Sequence, residues 1–121
     1  MYEFNNEVPI YLQIVDLIKK EIISGKLKPG QKILSVREYA FVFKANPNTI
    51  SKALQILEEN KLIYTERTNG KYVTDNLDVI NKYKEEIFNN KLNDFLKDME
   101  MLGYQKEIII KKIMEEKQWV C

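Results

Sequence analysis

The chain has 121 residues and a mass of 14.4 kDa, with 19 Lys and Arg against 18 Asp and Glu, enough for one ordinary domain or a small domain with an appendage. It holds no histidine and one cysteine, Cys121, so a zinc site, a Cys/His dyad, a Ser/His triad and an intrachain disulfide are excluded. No run approaches the ~18 apolar residues of a membrane span, and the first residues lack the basic and apolar regions of a secretory signal. These features predict a soluble protein in a reducing, cytoplasmic setting, with no metal, cofactor or membrane partner and with Cys121 an inert terminal thiol.

Residues 9–24 read as a helix. Pro9 suits its first turn, Ile10, Ile14, Leu17, Ile18 and Ile22 form one apolar stripe, and Gly25 closes it. The Pro29-Gly30 pair marks a turn. Ser35-Val36-Arg37-Glu38 has the form of a capping box, with Leu34 and Tyr39 at the positions of a hydrophobic staple. A short second helix therefore starts at Ser35, with Val36, Ala40 and Phe43 facing inward. A third follows almost at once, with Asn46 as N-cap, Pro47 as first residue, and Ile50, Ala53, Leu54 and Leu57 at i, i+3, i+4, i+7. The β-prone runs Leu62–Thr65 and Tyr72–Thr74 flank the turn residues Thr68-Asn69-Gly70, as in a hairpin.

From residue 77 the pattern changes. Phe88, Leu92, Phe95, Met99 and Leu102 alternate in spacing between four and three residues, a short seam of coiled-coil type. Ile80, Tyr83 and Ile87 extend that face towards the N-terminus. Gly103 breaks it, and a last helix covers about Gln105 to Lys117. The predicted fold class is mainly α with a small β wing. A winged helix-turn-helix occupies residues 1–76, and a two-helix appendage occupies residues 77–121.

The polar face of the third helix carries Asn48, Thr49, Ser51, Lys52 and Gln55 and meets no acid before Glu58. A helix start offers free N–H groups and a positive dipole end, which favour phosphate oxygens. Short polar side chains there let a helix lie deep in a major groove. Residues 24–76 hold nine Lys and Arg against five Asp and Glu, a basic lean that suits such a partner without requiring it. Taken alone, the pattern leaves two readings open. Ser35 is also explained as a cap, Arg37 as a solvated surface residue, and the polar face as a surface that docks protein.

The ordered blocks are more specific. Ile10-Tyr11-Leu12-Gln13-Ile14, Gly25-Lys26-Leu27-Lys28-Pro29-Gly30 and Ser35-Val36-Arg37-Glu38-Tyr39-Ala40 come first. They are followed by Asn46-Pro47-Asn48-Thr49-Ile50, Ala53-Leu54, Leu57-Glu58, Leu62-Ile63-Tyr64-Thr65 and Gly70 to Val73. Together they resemble the winged-helix domain of the GntR family of bacterial transcription regulators over residues 9–74. The rest resembles the short C-terminal region of its YtrA subfamily, two helices that serve in dimerisation. The chain is too short for the larger second domain of other subfamilies.

The resemblance implies DNA contacts at Ser35 and Arg37, at Asn48, Thr49, Ser51 and Lys52 of the recognition helix, and at Asn69, Gly70 and Lys71 of the wing tip. Leu34 stands where the family usually has Pro, Glu66 precedes Arg67 where two basic residues are usual, and Thr68-Asn69-Gly70 departs from the usual wing. The dimer interface is expected at Ile87, Phe88, Leu92, Phe95, Met99 and Leu102. The function implied is a homodimeric repressor on a palindromic operator, with an operon of its own gene and transporter genes as the kind of target. The alternative is a winged helix that docks protein without sequence-specific DNA binding. A small-molecule effector remains open as a partner, with no motif for one.

Overall fold

The computed structural model describes residues 3–116, so Cys121 and the end of the last expected helix lie outside the described residues. It divides into two compact units, one reaching to Lys84 and one starting at Glu85. The first contains α1 (Ile10–Ile23), α2 (Val36–Phe43), α3 (Pro47–Glu59), β1 (Ile63–Glu66), β2 (Gly70–Val73) and the start of α4 (Leu77–Met101). The second contains the remainder of α4 and α5 (Lys106–Glu115). The mainly α architecture with a two-stranded antiparallel wing is the one read from the sequence.

The core of the first unit is built from one face of each helix. Ile14, Ile18 and Ile22 of α1 meet Ile50, Ala53, Leu54 and Leu57 of α3, all essentially solvent-free. The α1 stripe is rotated from the expected one, because Val15 is buried while Ile10 is exposed. Pro9 stands one place outside α1, as its N-cap. Its lost N–H costs nothing there. The C-terminal end closes as expected: Gly25 takes φ 86°, and the N–H of Leu27 reaches the Glu21 carbonyl at 2.9 Å.

A device invisible in the motifs holds the N-terminal segment. The Gln13 side-chain amide donates to the carbonyls of Asn5 (2.9 Å) and Val8 (2.7 Å) and accepts the Asn5 N–H at 3.1 Å. That fastens residues 5–8 over the start of α1. Phe4 then reaches Phe43, with ring centroids 6.2 Å apart.

In α2 the reciprocal box is formed: the Glu38 N–H donates to Ser35 Oγ at 3.1 Å and the Ser35 N–H to Glu38 Oε1 at 2.9 Å. Tyr39 is buried and stacks on Phe43 at 5.6 Å, while Leu34 stays exposed, so the polar box rather than a staple holds this helix start. Lys44 ends α2 in the left-handed region (φ 53°, ψ 47°), which turns the chain straight into α3. There Asn46 Oδ1 accepts the Asn48 N–H at 2.8 Å and Pro47 opens the helix.

The hairpin pairs Ile63 with Val73, Tyr64 with Tyr72, Thr65 with Lys71 and Glu66 with Gly70, so β1 starts one residue later than expected and β2 two residues earlier, taking in Gly70 from the expected turn. The free edge of β2 is occupied too. Ile33 N–H donates to the Lys71 carbonyl (2.9 Å), Val73 N–H to the Gln31 carbonyl (2.8 Å) and Gly30 N–H to the Val73 carbonyl (2.9 Å). Lys32 bridges Tyr72 in antiparallel sense, so the loop that leads into α2 borders the wing.

The first unit runs past the break at residue 76 because the first turns of α4 bury Ile80 and pack Val79 and Tyr83 on the core. Lys19 Nζ lies 4.2 Å from the centre of the Tyr83 ring. In the second unit Gly103 takes φ 89° at the turn between α4 and α5. Ile109 is its one buried hydrophobic residue among those described. Of the six residues expected at a dimer interface, Ile87 and Met99 are half-buried and Phe88, Leu92, Phe95 and Leu102 are exposed.

The Asn46 side chain caps the start of α3. Asn46→Ala is expected to lower unfolding free energy by about 1 kcal/mol, whereas Asn46→Asp retains most of it. Urea denaturation followed by circular dichroism checks both.

Candidate nucleic-acid interface

α2 and α3 form the two arms of a helix-turn-helix, and each exposes the residues of its first turn. Ser35 uses its hydroxyl oxygen as an acceptor of the Glu38 N–H within the capping box. Arg37 is exposed in the first turn of the same helix and makes no ion pair among the described residues. Glu38 is held below the usual carboxylate range, first by the Ser35 backbone N–H, then by the Ser35 side chain, with a smaller pull from the charge of Lys32. Desolvation by neighbouring parts of the chain opposes these.

On α3, Asn48 and Ser51 are exposed and Thr49 is half-buried, while the apolar face is sealed into the core. Lys52 behaves differently from its neighbours. Its ammonium sits 4.0 Å from the centre of the Tyr11 ring, a cation–π contact that ties α3 to α1.

The wing tip is a loop of Arg67, Thr68 and Asn69, and Gly70 opens β2 at φ 105°, a conformation that disfavours any side chain. A Cβ at Gly70 would stand 3.1 Å from Lys32 Cε, so the glycine also makes room for the stem of Lys32. Lys71 does not extend from the tip as a free cation. Its ammonium lies 2.8 Å from Glu58 Oε1 and donates to Thr65 Oγ1 at 2.7 Å, and the Thr65 hydroxyl donates to the same Glu58 oxygen at 2.9 Å. This three-membered network joins β1, β2 and the last turn of α3. The hydrogen bond from Lys71 is the main reason the Glu58 carboxyl lies below its ordinary range, with partial burial opposing and Thr65 assisting.

One cleft is bordered by Val36, Ser51, Leu54, Gln55, Glu58 and Lys71, so the outer face of α3 and the wing share a wall. Ser51 and Lys71 are thereby brought together, and Lys52 turns away towards α1. Lys32, Glu58 and Tyr11 were not singled out from the sequence as interface residues. Lys32 carried no signal because nothing local marks residues 30–33 as a sheet edge. Glu58 carried one, being the first acid on an otherwise acid-free helix face.

A tight helix–turn–helix backed by a hairpin, with polar side chains at the start of its second helix, defines a winged helix-turn-helix of the DNA-binding class. Residues 10–73 match the model of "Bacterial regulatory proteins, gntR family". The chain is 34% identical over 111 residues to the HTH-type transcriptional regulator YhcF of Bacillus subtilis, covering 92% of each. It is 45% identical over 71 residues to the HTH-type transcriptional repressor YtrA of the same organism, covering 59% of this chain and 55% of YtrA. A GntR family transcriptional regulator from Listeria monocytogenes superimposes with a TM-score of 0.84 at 39% identity, over 94% of this chain and 100% of that one. AraR(DBD) in complex with operator ORR3 superimposes with a TM-score of 0.54 at 30% identity, over 61% of this chain and 89% of that one. The chain belongs to the GntR family and is a DNA-binding transcription regulator, not an enzyme. Among the described residues, no helix is long and apolar enough to cross a membrane.

The Lys71–Glu58 pair is partly exposed, which limits its worth to about 0.5–1 kcal/mol. A carboxyl whose pKa is lower folded than unfolded contributes stability above its unfolded pKa, about 4.3, and loses it as pH falls through the folded value. Glu58→Gln is therefore expected to be less stable than the parent by that amount at neutral pH. The gap should hold down to about pH 5 and close in more acidic buffer. Thermal midpoints across that range check it.

Proposed function

We propose that the chain is a homodimeric repressor that binds a palindromic operator and obstructs promoter use, in the cytoplasm, where its DNA lies. The observation that carries the DNA-reading half is the exposure, side by side, of the first turns of α2 and α3 with the wing. Ser35 and Arg37 hold backbone phosphates or a base edge, Asn48, Thr49 and Ser51 enter the major groove, and Asn69 and Gly70 let the wing backbone approach the duplex. Lys52 stands beside them as a phosphate partner that must leave Tyr11 to engage. Residues 1–76 do this work, and residues 77–121 serve dimerisation.

The dimer half is supported by the second unit. Phe88 is 64% exposed, Leu102 68%, and Leu92 and Phe95 41% each, so its own chain covers the seam only in part. Apolar surface of that extent on so small a unit favours a second copy. A twofold pair matches a two-half-site operator and roughly doubles the contact free energy. The repressor sign is supported by the name of YtrA, the relative that matches at 45% identity. Transporter genes and the regulator's own gene are the targets implied by the subfamily, and the reading assigns no effector.

Selection of sites from a random duplex library at about 150 mM salt tests the reading. An enriched palindrome is expected, and its half-site spacing reports the dimer geometry. A folded sample that enriches nothing defeats sequence-specific binding and points to a protein-docking face instead. Arg37→Ala is expected to weaken operator binding by about 1–3 kcal/mol with the dimer and thermal midpoint unchanged. Leu92→Asp combined with Phe95→Asp is expected to yield monomers by light scattering that hold a single half-site weakly. A dimer persisting in that variant would place the interface elsewhere.

A further inference from the structure

Two lysines border the wing, Lys71 within β2 and Lys32 on the segment bridged to it, and the structure gives them different surroundings. Lys71 lies at the wing and is the cation the family pattern would offer to DNA. Its ammonium, however, is held by Glu58 Oε1 at 2.8 Å and Thr65 Oγ1 at 2.7 Å, and its side chain is only 29% exposed. Moving it onto a phosphate would break a charge-assisted hydrogen bond and leave the Glu58 carboxylate facing the same polyanion. Lys32 is in the opposite position. It sits on the outer edge of β2 opposite Tyr72, is exposed, and has no ion pair among the described residues. Its Cε comes within 3.1 Å and its Nζ within 3.9 Å of the space a Cβ would take at Gly70. Its stem thus lies along the wing-tip glycine, and its charge reaches Glu38 in the first turn of α2.

We infer that Lys32, and not Lys71, is the cation that the wing presents to a DNA phosphate, bridging the wing tip and the start of α2, while Lys71 is a strut between the wing and α3. This rests on the DNA-binding reading and names a contact within it. The missing side chain at Gly70 is part of the arrangement, because a Cβ there would press on the end of the Lys32 stem at 3.1 Å.

The two lysines are told apart by the salt dependence of DNA affinity in the full chain, measured on one fixed duplex. Each phosphate neutralised contributes about 0.9 to the log–log slope for duplex DNA. Lys32→Gln is expected to flatten the slope by about 0.9 for each protomer bound, with no change in thermal midpoint, and Lys32→Arg to restore it. Lys71→Gln is expected to leave the slope unchanged and to lower the thermal midpoint. Flattening by Lys71→Gln, or a parental slope after Lys32→Gln, overturns the inference while leaving DNA binding intact. A parental protein whose affinity ignores salt would instead overturn the electrostatic DNA reading itself. Should Lys71→Gln fail to fold, the double variant Glu58→Gln with Lys71→Gln, which removes the pair as a whole, is expected to keep the parental slope, and a flatter slope overturns the strut.

Discussion

Two backbone hydrogen bonds, Ile33 N–H to the Lys71 carbonyl and Val73 N–H to the Gln31 carbonyl, couple the wing to the segment that launches α2. Because β2 is paired on both edges, it behaves as a central strand, and its position follows from the helices on either side in sequence. Ile33 and Val73 fall into the core from these two neighbouring segments, so the pairing is clamped by burial as well as by hydrogen bonds. The start of α2, the outer face of α3 and the wing tip are thereby set in one frame. A DNA reader needs that frame, since base edges are recognised by geometry fixed to a fraction of a hydrogen-bond length.

Signals confined to a few consecutive residues were legible in the sequence. The capping box at Ser35 and Glu38, the Asn46-Pro47 start of α3, the buried face of that helix and the hairpin at Gly70 each depend on chemistry within about one turn of backbone. Signals that depend on tertiary neighbours were not. Ile10 and Val15 exchanged places on α1 because the face that meets α3 is chosen by packing rather than by apolar count. The segment at residues 30–33 that bridges to β2 contains Gly30, Gln31 and Lys32 and shows no alternation that would announce it. The partnership of Lys71 with Glu58 spans two elements, and the amide of Gln13 is useful only because residues 5–8 fold back over it. Much of the candidate site was therefore readable as positions, while the direction in which each charge points was not.

The same contrast separates the two units. In the first, a small core is closed on several sides, and its polar side chains are free to specialise. In the second, one helix hairpin has a single buried hydrophobic residue among those described, Ile109, while Phe88, Leu102 and their neighbours face outward. Apolar surface left open in this way is costly for an isolated unit, since burial is the main favourable contribution to folding.

The double pairing of β2 also bears on the order in which the first unit assembles. One partner of β2 lies close by in the hairpin, but the other lies upstream of both α2 and α3. Closing that long loop is entropically unfavourable until the helices between are formed and packed. The three helices are thus the natural nucleus, and the wing is a late addition laid onto a finished scaffold. Natural variation at the wing tip can then alter what the protein reads without disturbing how fast the chain folds.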